Sequence, residues 1–172
     1  MVRTQHQTRV NQFMNKAGQA VPELPCIPGP EVRMLRAKLI LEEALETVLA
    51  LGVDVSVRYH GVGAGGMIPV EDKMLIFEHN PTRKISLVEI CDGCADVSVV
   101  TIGTLSACGV SDVTLLEEVD RSNLDKFRGD AHRNEAGKWV KPSDWIAPDI
   151  KNVLQEQANG QTIIMSIYPQ EE

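Results

Sequence analysis

Two stretches of this chain, RMLRAKLILEEALETVLALG and ISLVEICDGCADVSVVTIGTLSACG, are apolar around most of a helical circumference, and carboxylates interrupt each in one arc. At about 100° per residue, Glu42, Glu43 and Glu46 continue the line of Val32, Leu35 and Leu39. Ile40, Leu41, Ala44, Leu45 and Val48 cover the other sides of that helix. On the second stretch Glu89, Asp92 and Asp96 share one narrow arc. A helix with several apolar faces must bury several faces, so the expected fold is mainly α, a helical bundle completed by oligomerisation.

The rest of the chain divides around these two helices. Val10, Phe13, Met14 and Ala17 recur at helical spacing before Gly18. The proline-rich QAVPELPCIPGP that follows reads as an extended loop, after which Pro30 opens the first long helix, to about Leu51. VDVSVRY and MLIFEH then suggest a small β-hairpin inserted at about residues 53–80. Ser86 opens the second long helix, to about Cys108, and Ser111 or Asp112 opens a third that ends near Phe127. Residues 128–148 read as loop, with a turn at Glu135-Ala136-Gly137. A C-terminal extension, about 149–172, holds a short helix from Asp149 to Ala158 and a candidate strand, TIIMSIY. The 172 residues are expected to form one domain.

Composition excludes some functions. With 43% hydrophobic and 24% charged residues the chain reads as a globular protein, and its 4% aromatic content suits aliphatic helix packing. A net charge of −7 argues against a stable nucleic-acid partner, which needs a basic face. It leaves room for an anionic small molecule if a cation stands between protein and ligand. MVRTQHQTRVNQ is polar rather than a targeting segment, and Val97 to Val110 is too short and interrupted to span a bilayer. The expectation is a cytoplasmic protein with reduced thiols and no membrane partner.

HGVGAGG contains a formal G-x-G-x-x-G, but the strand-like MIPVEDKM follows where a dinucleotide site needs a helix N-terminus, so it reads as a hairpin tip. Cys91 and Cys94 form a C-x-x-C on the side of their helix opposite the acids. No second pair or histidine pair completes a zinc site, and a redox pair belongs at a helix N-terminus, so both read as core. His6, His60, His79 and His132 have no ligand spacing. The acids keep two readings on spacing alone. Ser86-x-x-Glu89 fits a capping box, and the glutamates fit a solvated edge. Alternatively, facing carboxylates inside a bundle hold a hard divalent ion such as Mg²⁺ or Mn²⁺.

Glu42-Glu43-x-x-Glu46 followed by Glu89-x-x-Asp92 resembles the E-E-x-x-E … E-x-x-D signature of the MazG-like all-α nucleoside triphosphate pyrophosphohydrolases. FMNKAGQAVPELP, RSNLDKF and GKWVKPSDWIAPDI extend the resemblance over residues 10–155, to a bacterial and phage subgroup that is Cof-like or phosphoribosyl-ATP pyrophosphohydrolase-like. The gap between Glu46 and Glu89 is longer than in the simplest members, because the hairpin intervenes. The resemblance implies hydrolysis of a (d)NTP to the monophosphate and diphosphate in a dimer or tetramer. It implies two to three Mg²⁺ or Mn²⁺ ions on Glu43, Glu46, Glu89 and Asp92, with Glu42 as the base that activates water. Asp96, Asn123, Lys126, Lys138 and Trp145 are the expected substrate contacts, with Lys138 and Lys141 the weaker candidates and Trp145 equally readable as a packing anchor. Similarity to the MazZ group suggests dGTP or GTP. The alternatives are a housecleaning enzyme for dUTP, dCTP or damaged nucleotides, and a non-catalytic, ion-binding helical oligomer.

Overall fold

In a computed structural model, which describes residues 1–57 and 70–167, the apolar periodicities become five α-helices and two small hairpins. The helices are α1 (Gln5–Lys16), α2 (Pro30–Ala50), α3 (Leu87–Ala107), α4 (Asp112–Leu124) and α5 (Ile150–Gln157). Strands β1 (Val53–Val57) and β2 (Leu75–His79) pair antiparallel between α2 and α3, with Val53 opposite His79 and Val57 opposite Leu75. The expected mainly helical fold with a small β insertion is therefore present. The G-x-G-x-x-G lies outside the described residues.

The chain forms two compact units, one from residues 1–32 and 102–172 and the other from residues 33–101. In the first, the tight turn between α3 and α4 is gripped by side-chain amides acting as surrogate backbone. Gln7, fully buried on α1, donates to Ser106 Oγ (3.2 Å) and to the Val110 carbonyl (2.8 Å), and accepts from the Asp112 N–H (3.0 Å). Gln157 on α5 does the same from another element, accepting from the Ser111 N–H at 2.8 Å and donating to the Ser111 carbonyl at 3.0 Å. Asp112 in turn accepts from the N–H and hydroxyl of Thr4, the residue that caps α1. The polar groups of this buried turn are thus matched to elements distant in sequence. Gly109 in the same turn has φ +67°, and a Cβ there would lie 2.1 Å from the Leu24 carbonyl oxygen. The proline loop can approach only because that atom is missing.

In the second unit, α2, the β1–β2 hairpin and most of α3 are tied by the segment between β2 and α3. Asn80 donates its backbone N–H to the Gly52 carbonyl (2.9 Å) and its side chain to Asp54 on β1 (2.7 Å). Arg83 also binds Asp54, with Nη2 2.5 Å from Oδ1. The two hydrogen bonds keep the Asp54 carboxyl below its ordinary range.

Several local expectations are corrected. Val10 and Met14 are buried on α1, but Phe13 is 62% exposed, and Gln7 fills the inner face instead. Residues 128–148 contain a second hairpin, β3 (His132–Arg133) with β4 (Trp139–Val140), closed by a turn in which Gly137 N–H bonds to the Asn134 carbonyl. The expected strand TIIMSIY, residues 162–168, is described to residue 167, and that part joins no ladder among the described residues. It shares a cavity wall with Pro22–Ile27, where Pro22 and Pro25 have no N–H to give a ladder. Cys91 and Cys94 are exposed in the single chain rather than core. The helix that carries them is long and apolar enough over Leu87–Ala107 to cross a membrane, longer than Val97–Val110 suggested, and little of it is buried. Its first half carries Glu89, Asp92 and Asp96, which are costly inside a bilayer, so length and composition alone do not make it a span.

Replacing Gln7 by Leu keeps the volume and removes three hydrogen bonds at a buried turn. Each orphaned group costs about 1–3 kcal/mol, so denaturant unfolding of Gln7→Leu is expected to show a loss of about 3 kcal/mol or more.

Candidate active site

The acidic arcs meet because α2 and α3 cross where one of them has no side chain. A Cβ on Gly93 would lie 2.6 Å from Thr47 Oγ1, closer than real Cβ contacts come, and 3.1 Å from the Thr47 Cα, tighter than nearly all of them. Thr47 is buried and bends its hydroxyl back to the Glu43 carbonyl at 2.7 Å, which keeps the crossing narrow. The residues flanking this contact, Glu46 one position before Thr47 and Asp92 one before Gly93, are therefore brought to the same place. A cavity of about 340 Å³ opens there, lined by Glu46, Glu89, Asp92, Asp96, Arg83 and Lys84, with Gly93, Leu49 and Ala50 as its floor.

Glu43 registers how crowded the carboxylates are. Its pKa is raised above the ordinary value, first by desolvation, and then by the charges of Asp96, Glu46, Glu42 and Asp92. Asp96 and Asp92 act on it from the other helix, so the two acidic arcs share one electrostatic environment. Glu42 is exposed at the edge of the cluster. Glu89 takes part in a weak cap, its N–H reaching Ser86 Oγ only at 3.5 Å, while the residue itself lines the cavity. The capping and cavity readings of Glu89 are thus compatible.

The donors are all carboxylate oxygens, the chemistry preferred by a hard divalent ion. Among the described residues no three His, Cys, Asp or Glu side chains converge closely enough to cage an ion alone. A Mg²⁺ ion keeps several waters and takes one or two carboxylates together with substrate phosphates, a coordination that requires no all-protein cage.

The expected basic and aromatic contacts form a separate set in the unit of residues 1–32 and 102–172. Asn123 Oδ1 accepts from Lys126 Nζ at 2.7 Å, and Lys126 lies 5.7 Å from the Trp145 ring centre. Lys141 sits closer on that ring, at 3.5 Å, and Trp145 Nε1 donates to the Ser122 carbonyl at 2.8 Å. Trp145 is thus an anchor between α4 and the following loop, with cations on its ring. Lys138 lies instead at the β3–β4 turn, its N–H bonded to Asn134 Oδ1.

Sequence reasoning missed Arg83, Lys84, Thr47 and Gly93. The signals were present: two cations stand just before the second acidic helix, and a glycine inside an apolar helix marks close backbone approach.

A family model described as phosphoribosyl-ATP pyrophosphohydrolase matches residues 10–123 of the chain, a span that contains all six acids, Arg83 and Lys84. Lys126, Lys138 and Trp145 lie beyond it. No curated protein matches the sequence.

Two substitutions test this geometry. Gly93→Ala adds about 1 kcal/mol of helix propensity but overpacks the crossing at a cost of about 1–3 kcal/mol, so chemical denaturation is expected to register a net loss. Glu43→Gln removes one like charge. A carboxyl raised above 4.5 destabilises the fold at neutral pH and contributes nothing once protonated in both states. The metal-free Glu43→Gln variant should therefore melt higher than the parent at pH 7, with the difference disappearing below about pH 4.5 in a series of melts.

Proposed function

This chain belongs to the phosphoribosyl-ATP pyrophosphohydrolase family, and on that premise we propose that it is a divalent-metal-dependent nucleoside triphosphate pyrophosphohydrolase, converting (d)NTP and water to (d)NMP and diphosphate. Pyrophosphohydrolase activity in general follows from the family; the substrate, the ions and the residue roles are our reading. The observation that supports it best is one open cavity lined by carboxylates of both helices, Glu46 from α2 and Glu89, Asp92 and Asp96 from α3. Glu43 stands beside it, raised in pKa by desolvation and by its acidic neighbours. Such a cluster stores repulsion that a bound cation relieves.

Glu43, Glu46, Glu89 and Asp92 would hold two to three Mg²⁺ or Mn²⁺ ions. When bound, those ions supply Lewis acidity at the phosphoryl oxygens and reverse the local sign of charge for an anionic substrate. Glu42, at the exposed edge of the cluster, takes the proton of the attacking water. The water oxygen forms a bond to the α-phosphorus, the bond from that phosphorus to the bridging oxygen breaks, and diphosphate leaves with the bonding pair. Asp96 orients water or a neighbouring ligand from one turn beyond Asp92. Asn123, Lys126, Lys138 and Trp145 remain proposed nucleotide contacts, a role supported by the adjacency of the Lys126 ammonium and the Trp145 ring.

Resemblance to the MazZ group favours guanine nucleotides. The family's own name supports phosphoribosyl-ATP as a second substrate, since it carries the same triphosphate linkage. A homo-oligomer, dimer or tetramer, is supported by the apolar residues left uncovered on the long helices, Met34, Leu41, Leu87 and Val88 among them. A cytoplasmic location, in a bacterium or a phage-infected host, belongs to the same proposal.

The test is diphosphate release from dGTP, dATP, dCTP, dUTP, dTTP and phosphoribosyl-ATP with Mg²⁺. We expect turnover with at least one, fastest with dGTP, and a loss of about a hundredfold or more in Glu46→Ala. Equal rates in Glu46→Ala and parent sink the assigned site. Mg²⁺ binding without turnover on any nucleotide would leave the non-catalytic helical oligomer.

A further inference from the structure

The four carboxylates lining the cavity explain how ions are held, but they offer no donor to the anion that departs. Arg83 and Lys84 line the same cavity. They stand on the short segment between β2 and α3, and their position is built rather than incidental. Asp54 on β1 divides its oxygens, accepting from Arg83 on Oδ1 at 2.5 Å and from Asn80 on Oδ2 at 2.7 Å. Asn80 is fixed in turn by the Gly52 carbonyl, and its own side chain accepts from the N–H and hydroxyl of Thr82 at 3.0 and 2.7 Å. A chain of hydrogen bonds therefore runs from the end of α2 through the hairpin to Arg83. Asp54 engages the guanidinium through Nη2, so the planar fork retains donors for a ligand.

Charge decides which ligand. Glu46, Glu89, Asp92 and Asp96 bring four negative charges to the cavity, and Arg83 and Lys84 bring two positive ones. Divalent ions would offset the carboxylates, leaving Lys84 and Arg83, the latter partly balanced by Asp54, as the cations that face a ligand. An uncharged ligand gains nothing from those cations, and a compact monoanion engages one of them. A diphosphate group, with several oxygens and more than one negative charge, uses both cations and matches an arginine fork in geometry.

We infer that Arg83 and Lys84 form the subsite for the departing diphosphate, the β- and γ-phosphates of the bound substrate, with Asp54 as the positioning residue that aims Arg83. The inference deepens the function proposed above and rests on it for the identity of the substrate. It also accounts for the hairpin insert, because β1 supplies the carboxylate that fixes the guanidinium. An Arg83 freed from Asp54 would still carry its charge, but would lose orientation, which affects a bidentate contact more than a point charge.

The experiment measures binding of inorganic diphosphate to the full chain by calorimetry in the presence of Mg²⁺, beside turnover and product inhibition with the best nucleotide. Arg83→Ala and Lys84→Ala are each expected to weaken diphosphate binding by about ten- to a hundredfold, with inhibition by the nucleoside monophosphate unchanged. Arg83→Lys should recover only part of the loss, and Asp54→Asn should raise KM more than it lowers kcat. If Arg83→Ala, Arg83→Lys and Lys84→Ala all bind diphosphate as the parent does while the parent turns over, this inference is wrong and the proposed function stands. If the parent hydrolyses no nucleotide yet binds diphosphate through Arg83 and Lys84, the subsite stands and the proposed reaction fails. Equal loss of diphosphate and monophosphate binding in the variants would mean a general electrostatic effect and would also overturn the subsite.

Discussion

The contact of Gly93 with Thr47 sets the distance between the two acidic helices, and most of what is distinctive about the molecule follows from it. Without a Cβ on α3, the helices approach until the Thr47 side chain rests on bare backbone. Carboxylates one position and one turn away then have no room to spread, and Glu43 shows the cost in its raised pKa. Helix pairing of this kind is normally stabilised by apolar side chains filling the groove. Here the groove is kept open and lined with acids, an arrangement that lowers the stability of the isolated fold and accords with the cation and anionic substrate proposed above. Glycine costs about 1 kcal/mol of helix propensity relative to alanine, a second concession at the same point.

Elsewhere the chain relies on buried polar pairing as much as on apolar packing. The turn between α3 and α4 is held by Gln7 and Gln157, whose amides complete the hydrogen bonding of backbone groups that no ladder or helix could satisfy. Such clamps define one conformation sharply, because any displacement leaves several buried groups unpaired at once. The apolar surface is less completely used. Met34, Leu41, Leu87 and Val88 are each at least 60% exposed on α2 and α3, at positions where the helical pattern has no polar alternative. The oligomer proposed above would cover these faces.

How far the residues announced this depends on the range of the interaction. Periodicity within one segment reported α2, α3 and the β1–β2 hairpin almost to the residue, since helix and strand repeats are local. The acids were legible for the same reason, as arcs on single helices. What stayed hidden was pairing between segments. Cys91 and Cys94 looked like core because they share the apolar side of α3, but a helical wheel cannot tell a buried face from one without a partner. TIIMSIY has strand composition, and whether it finds a ladder depends on an edge elsewhere; the nearby proline loop offers none. Arg83 was passed over because its partner, Asp54, lies across the hairpin. Gly93, inside the C-x-x-C, carries no periodic signal of its own, although a glycine in a long apolar helix is itself a sign that something approaches closely.

The hairpin between the acidic helices can be weighed in the same terms. Lengthening a connection costs little, because loop-closure entropy grows only with the logarithm of length. An insert is therefore tolerated even when it does nothing, and its presence alone implies no role. Its attachments are more telling. At its base the hairpin is tied by side chains as well as by its ladder, with Asp54 meeting Asn80 and Arg83 on the segment that returns to α3. Those bonds order residues that would otherwise form a free linker, at an entropic cost of about 1–2 kcal/mol per residue. Surface ion pairs on their own return less than that, so the pairing between Asp54 and Arg83 is poorly explained as a stabilising contact. It is better explained by what the ordered segment presents, two cations at the wall of an acidic cavity, where a fixed position is worth more than the stability it fails to supply.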